Sequence, residues 1–407
     1  MIGDRSCPVC GAVAKKLIHR ARQILPEDYP LSGDSRLVVC RVCGGAFADY
    51  WKRERDYQRY YADFSLYAEP SVAAGSGMSP WDAARFADVA AFIGERVPRS
   101  DSRILDVGCA TGGLLRSLRD YGYTNVAGVD PSASCVRFIR ETVRADAWVG
   151  SIYELPPQIG RFHLATLLEV LEHLEDPLAA LLSLREALVS SGVLYIEVPD
   201  ASRYTEFVLA PWQDFNSEHI NHFSWPTLRG LAGRAGLVPI SHGTKRVDFR
   251  SSTAPVLFGL FRLGQPRTPA RADRQLEHSL RLYMRKSETL MDAMNAYLVD
   301  LLPSAPRWIV WGTGQLASRL LSDTILGSTS IAAFADNNAR NQGKTLQGAP
   351  ILSPSELPSD KLPILVASTL HEADILESVK NRWHLPNPIY GLRATVEKAL
   401  ATFGETS

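Results

Sequence analysis

The sequence predicts an α/β protein with two doubly wound parallel units, preceded by a small cysteine-bearing module. Three observations predict this. From Arg103 onward the strand candidates "RILDV", "NVAGVD", "AWVGS", "FHLATLL" and "GVLYIEV" have helical stretches between most of them, which is the pattern of a parallel sheet with crossover helices. After "PSAP" a second such unit opens with "RWIVWGTGQLASRLL". Near the N-terminus, Cys7 and Cys10, and then Cys40 and Cys43, form two Cys-x-x-Cys pairs.

At 407 residues, with 45% apolar content, the chain is long enough for two or three packed domains. The pattern divides it into residues 1–50, a cysteine module; 51–100, a tyrosine-rich helical or lid segment; 101–262, the first α/β core; 263–304, a helical linker entered through "LGQPRTPARADR"; and 305–407, the second α/β domain. The 44 basic residues balance 44 acidic ones with no long basic block, which disfavours nucleic acid as a main partner. The stretch "APVLFGLF" at 254–261 is too short to span a bilayer, and "MIGDRSCPVC" lacks a signal segment. A soluble, cytoplasmic protein acting on a small molecule is expected.

Two Cys-x-x-Cys knuckles can present four thiolates to one zinc ion, each from a tight turn. Gly11 and Gly44 follow the knuckles, where the chain must bend sharply. Disulfides would require export, and a redox pair would need no duplicate. With Cys7, Cys10, Cys40 and Cys43 all used as ligands, such a zinc is structural, because no position stays open. Cys109 and Cys135 read as small buried fillers.

"ILDVGCATGGLL" places Asp106, Gly108, Ala110 and Gly112 between a strand and a helix. Glycines serve where backbone turns tightly against a ligand, and the helix N-terminus beyond offers unpaired N–H groups. The next strand ends in Asp130, suited to a ribose diol; these features alone would suit NAD as well. "LDVGCATG", "VAGVDPS" and "LLEVLEHLEDP" together resemble the class I S-adenosylmethionine-dependent methyltransferases. The resemblance implies a Rossmann-like methyltransferase core. It assigns Asp106, Gly108 and Gly112 to the methionine part of the cofactor, Asp130 to the ribose, and the turn around Gly150, Ser151 and Ile152 to the adenine. Ala110 stands where many members have a middle glycine, and Ser151 where an acidic contact is common. Glu169 ends the fourth strand, where it is placed to line the cleft, while Glu172 and His173 are read as orienting that loop.

Residues beyond the fourth strand bear on the acceptor. The position directly after it holds "LLEVLEHL" rather than the Asn/Asp-Pro-Pro-aromatic motif of base N-methyltransferases. Oxygen or carbon acceptors therefore fit better. The whole layout (paired cysteines, methyltransferase core, C-terminal α/β domain) resembles the zinc-containing C-methyltransferases of nucleotide-linked keto-sugars. That resemblance places an active-site Glu-His pair on Glu218 and His219 of "FNSEHINHFSWPTL", with His219 as general base and Tyr67 contributing to the pocket. Imidazole, with an ordinary pKa of about 6.5, can take a proton from carbon beside a ketone. Asn216 stands where keto-sugar enzymes often carry tyrosine. Other readings of the stretch are a loop-to-helix junction, with Ser224 as N-cap and Pro226 in the first turn, and a metal site using His219 and His222 on one helix face.

In the last domain, Gly312-x-Gly314-x-x-Ala317 follows a strand and Asp336 ends the next. This nearly completes the dinucleotide fingerprint. The domain reads as a platform for a nucleotide-sugar diphosphate, as a packing domain, or as an NAD site. Two rivals to the keto-sugar reading stand: O-methylation of a sugar or secondary metabolite, and a zinc-bearing RNA methyltransferase or binding protein.

Overall fold

A computed structural model of the chain describes residues 5–31, 33–49, 56–57, 59–60, 79–98, 101–248, 252–266, 272–357 and 361–405. These form two compact units: residues up to 18 with 37–203 and 218–278, and residues 19–36 with 204–217 and 279 onward. Tyr67, expected in the acceptor pocket, lies outside the described residues.

The N-terminal strands are β1 (Lys15–Arg22), β2 (Asp34–Cys40) and β3 (Ala46–Ala48). The core strands are β4 (Arg103–Val107), β5 (Asn125–Asp130), β6 (Asp146–Val149), β7 (Phe162–Leu168) and β8 (Leu188–Pro199). Then follow β9 (Asn221–His222), β10 (Leu237–Asp248) and β11 (Thr253–Leu263). Seven of these make one sheet in the order β10-β11-β8-β7-β4-β5-β6. The five strands β4 to β8 run parallel, whereas β11 lies antiparallel to β8 and β10 antiparallel to β11. Sandwiching the reversed strand between β8 and β10 is the arrangement of the class I methyltransferase core. The parallel strands are covered on both faces, which is why they read as continuous apolar runs instead of alternating. Ile104, Leu105, Leu164, Ala165, Leu194 and Ile196 are fully buried.

Strand order reverses between β4 and β7, and ligands bind α/β sheets at the carboxyl ends of strands beside such a reversal. Four helices of this unit are α1 (Pro80–Gly94), α2 (Gly113–Asp120), α3 (Ala133–Phe138) and α4 (Pro177–Glu186). Each starts where its sequence allows it. In α1 and α4 proline occupies the first turn, where no N–H is missed. The hydroxyl of Ser79 and the carboxylate of Asp176 cap them, accepting from the N–H groups of Asp82 and Ala179. Cys109 and Cys135 are buried, as read from the sequence.

Helix α5 (Trp225–Arg234) begins as the sequence indicates, with Ser224 as N-cap in a reciprocal box with Thr227 and proline in the first turn. The residues ahead of it are not helical. His222 lies on β9 and pairs in register with Ala46 of β3, so the alternative in which His219 and His222 share a helix face does not hold. His219 lies in the irregular segment ahead of β9.

The second unit contains β12 (Trp308–Trp311), β13 (Ile331–Ala335), β14 (Thr345–Leu346), β15 (Ala349–Leu352), β16 (Ile364–Val366) and β17 (Ile389–Tyr390), ordered β14-β15-β13-β12-β16-β17. All its pairings are parallel except β14 with β15. Helix α6 (Arg274–Leu301) precedes it, and α7 (Gln315–Asp323), α8 (Glu372–Asn381) and α9 (Arg393–Glu405) complete it. Among the described residues no helix is long and apolar enough to cross a membrane.

Candidate active site

The turn after β4 has the backbone that its composition demands. Gly108 and Gly112 sit at φ 74° and 81°, in the left-handed region where a Cβ is disfavoured. A side chain on Gly108 would also run into Val170, 2.5 Å away, in the turn after β7. Ala110 adopts φ 44° between them. The conformation that a middle glycine would take freely is therefore kept here by alanine, at a cost in backbone strain.

Asp130 ends β5 and folds back on this turn. Its carboxylate accepts the N–H groups of Ala110 and Ser132, both at 2.8 Å. Asp106 accepts from the Thr166 hydroxyl at 2.7 Å. Burial pushes Asp106 up to about 7 and Asp130 up to about 6, against the bonds they accept. The Thr111 hydroxyl, in the same turn, is 1% exposed with no hydrogen-bond partner among the described residues. A glycine turn at a helix start, a carboxylate at the next strand end and an orphaned buried hydroxyl fit a nucleoside cofactor that bridges them. Ser151, after β6, accepts the Tyr153 N–H through its hydroxyl at 3.2 Å.

Asp130 makes the fit testable. Its folded pKa lies above the ordinary 3.8. In the cofactor-free protein its contribution to stability is therefore fully present below pH 3.8 and is lost as pH rises past about 6. Cofactor affinity should run the opposite way, because ribose hydroxyls need the carboxylate as acceptor. S-adenosylmethionine affinity, measured calorimetrically from about pH 5 to 8, is expected to weaken below pH 6, by up to about tenfold per unit. A flat profile would remove Asp130 from the ribose contact.

At the end of β7, Glu169 adopts φ 55° and donates its N–H to the Glu197 carbonyl at 2.9 Å. A left-handed glutamate at a strand end beside the cofactor turn is a strained position, of a kind that clusters at functional sites. Its carboxylate lies 3.5 Å from Arg85 of α1, and burial pushes it up to about 7. Beneath it, the fully buried Glu197 of β8 pairs with Arg85 at 3.0 Å and with Lys245 of β10 at 2.6 Å, and accepts from the Tyr195 hydroxyl at 2.9 Å. Burial alone would raise Glu197, yet Arg85 and Lys245 hold it below the ordinary carboxylate value. The only signal in the sequence is a lone charge in the apolar strand "GVLYIEV".

The turn 171–173 carries Glu172 and His173, and it is laced to the stretch holding Glu218 and His219. The Ile220 N–H donates to the Glu172 carbonyl at 2.9 Å, and the Asn221 amide donates to the Leu174 carbonyl at 2.7 Å. His173 Nδ1 lies 3.1 Å from the Glu218 carbonyl. The rings of His173 and His219 meet edge to face, centroids 4.8 Å apart. Tyr60 donates its hydroxyl to Glu218 at 2.5 Å, a partner that the sequence did not single out. Burial raises the Glu218 carboxyl, against Tyr60, and lowers His219 well below the usual imidazole value. Glu172 and His173, read from the sequence as orienting residues, are thus neighbours of His219.

The four cysteine sulfurs lie within 4.8 Å of one another, with Cys7 and Cys43 Sγ atoms 3.5 Å apart and Cys10 and Cys40 3.6 Å apart. Four sulfurs about 2.3 Å from one ion lie about 3.8 Å from each other, so this set can hold a metal tetrahedrally. Gly11 and Gly44, at φ 77° and 78°, each donate N–H back to the first cysteine of their knuckle. A side chain on Gly44 would strike the Asp273 carbonyl at 2.1 Å.

In the second unit, Asp336 follows β13 and accepts the N–H and hydroxyl of Thr313 in the Gly312–Gly314 turn. Among the described residues nothing lies within 4 Å of the place where a Gly314 side chain would stand.

Strand order, reversed β11 and the glycine turn at the switch point define a Rossmann-like, class I methyltransferase core, whose cofactor is S-adenosylmethionine. Residues 81–242 match the family profile described as "Methyltransferase domain", and this part of the chain is an S-adenosylmethionine-dependent methyltransferase domain. Residues 304–386 match a second profile, "C2185-like, N-terminal". A ubiquinone biosynthesis O-methyltransferase of Xanthomonas campestris pv. campestris is 32% identical over 111 residues, covering 26% of this chain and 46% of its own. A tRNA U34 carboxymethyltransferase of Campylobacter concisus is 27% identical over 133 residues, covering 31% of this chain and 46% of its own. The chain thus spans about half the length of these curated relatives. Among solved structures, the Burkholderia thailandensis 1,6-didemethyltoxoflavin-N1-methyltransferase is similar at 19% identity and TM-score 0.40, over 54% of this chain and 96% of that one.

Proposed function

We propose that the chain transfers a methyl group from S-adenosylmethionine to a small molecule, most concretely to carbon beside the ketone of a nucleotide-linked sugar. The observation that carries this reading is the convergence of Glu218-His219 and Glu172-His173, tied by the Ile220 N–H to Glu172 carbonyl bond. Both pairs follow carboxyl ends of parallel strands, on the side of the sheet where the cofactor turn lies. S-adenosylmethionine supplies an electrophilic methyl group on a sulfonium sulfur.

The protein's part is to hold the acceptor and take its proton. His219 is the base in this reading. Its burial keeps the ring neutral near pH 7, hence able to accept a proton, and also weakens it. The acceptor must then give a stabilised anion, as a carbon acid beside a carbonyl does. Glu218, fixed by Tyr60, positions the acceptor. The Gly312–Gly314 turn of the second unit is by itself a candidate nucleotide platform, with the space over Gly314 among the described residues in support.

O-methylation of a sugar or related metabolite is the second reading, favoured by the O-methyltransferase named among the relatives. Exchange in D2O separates the two. A C-methyltransferase should wash deuterium into the carbon beside the ketone of its substrate without turnover, and no exchange across a panel of nucleotide-linked keto-sugars would sink the carbon reading. Tight, salt-sensitive RNA binding would instead favour the nucleic-acid class.

The four cysteines are proposed to hold one structural zinc ion. Cobalt substitution should give the intense near-ultraviolet thiolate band of a tetrathiolate site, and Cys40→Ser should lose most of it together with thermal stability. An unchanged spectrum in that variant would exclude Cys40 as a ligand.

A further inference from the structure

We propose that Glu172, His173 and His219 form a second metal site, for a first-row divalent cation, distinct from the four cysteines. Their ligand atoms all lie within 4.8 Å of one another. Each side chain is prepared for the task. Glu172 is 1% exposed, and neither carboxylate oxygen has a hydrogen-bond partner among the described residues. A buried carboxylate without hydrogen bonds is among the costliest groups a fold can carry, and a divalent cation removes that cost.

His173 supports this from the other side. Its Nδ1 lies 3.1 Å from the Glu218 carbonyl, and the ring also meets the Glu169 backbone. Its Nε2 lies 3.7 Å from Glu172 Oε1. An imidazole whose second nitrogen donates to a backbone carbonyl is the usual outer-shell arrangement of a metal-binding histidine. His219 meets His173 edge to face and closes the set. The bonds between the 171–174 turn and residues 220–221 hold the three side chains in place. Two imidazoles and one carboxylate suit borderline divalent ions and leave coordination positions open.

An open position is what a hydroxyl or ketone oxygen of an acceptor would take, and the ion would acidify a bound hydroxyl or stabilise an enolate. In that state His219 is a ligand, so the inference goes beyond the base role and competes with it for the same ring. Only the ion's action on an acceptor rests on the methyltransferase reading. Metal binding itself is read without turnover, so failure of one is distinguishable from failure of the other.

The test uses the full chain and Mn2+, which a thiolate site disfavours. Electron paramagnetic resonance should count one saturable Mn2+ per chain, with electron spin-echo modulation from imidazole nitrogen. Glu172→Gln should weaken Mn2+ binding at least tenfold while S-adenosylmethionine affinity, which reports the fold, stays within about twofold. Absence of saturable binding by the wild-type chain, or bound Mn2+ without nitrogen coupling, overturns the site. So does equal Mn2+ affinity in a Glu172→Gln variant that still binds S-adenosylmethionine.

Discussion

Replacing His219 by alanine is expected to lower kcat by about two to four orders of magnitude, the range lost when a positioned acid or base is removed. S-adenosylmethionine binding should persist, because the cofactor turn after β4 and Asp130 at the end of β5 do not depend on the 218–222 stretch. The ring is partly buried, so its loss leaves a small cavity beside His173 and costs some stability as well. Single-turnover rates on a responsive acceptor, with calorimetric cofactor affinity measured alongside, separate the two effects. A variant that turns over within threefold of wild type would remove His219 from the chemistry, whether as base or as ligand.

The second large effect concerns the support of the site. Glu197→Ala is expected to destabilise the first unit by about 3–5 kcal/mol, since removing one partner of a buried ion pair strands the others. Arg85 and Lys245 would both lose their fully buried counter-ion, and the Tyr195 hydroxyl would lose its acceptor. Glu197→Gln keeps the volume and one acceptor oxygen, so it should cost less than alanine. Urea denaturation of the three proteins gives the comparison, and equal midpoints for wild type and Glu197→Ala would show that Arg85 and Lys245 re-solvate freely. Because Arg85 also faces Glu169, the alanine variant should in addition loosen the strained end of β7.

Local rules carried the sequence reading a long way. Runs such as "RILDV" and "FHLATLL" are legible because a strand covered on both faces has no room for polar residues. The glycine turn is legible because Gly108 and Gly112 need φ values that a Cβ opposes. Ser224 and Pro226 marked the start of α5 because a cap and a missing N–H are requirements within one turn. The pairing of cysteines was equally local, since each knuckle closes on itself through the glycine after it.

What the sequence could not convey depends on residues far apart in the chain. Nothing in "FNSEHINHFSWPTL" says that His222 pairs with Ala46 on a strand while His219 meets His173. Nor does "GVLYIEV" say that its glutamate finds cations at Arg85 and Lys245. Sequence by itself determined the fold class, the cofactor turn and the pairing of the cysteines in knuckles, because each follows from torsions and contacts within a few residues. Only the tertiary structure decided that Glu172, His173 and His219 share one small volume, because a buried charge is matched by whichever partner the sheet order brings to it.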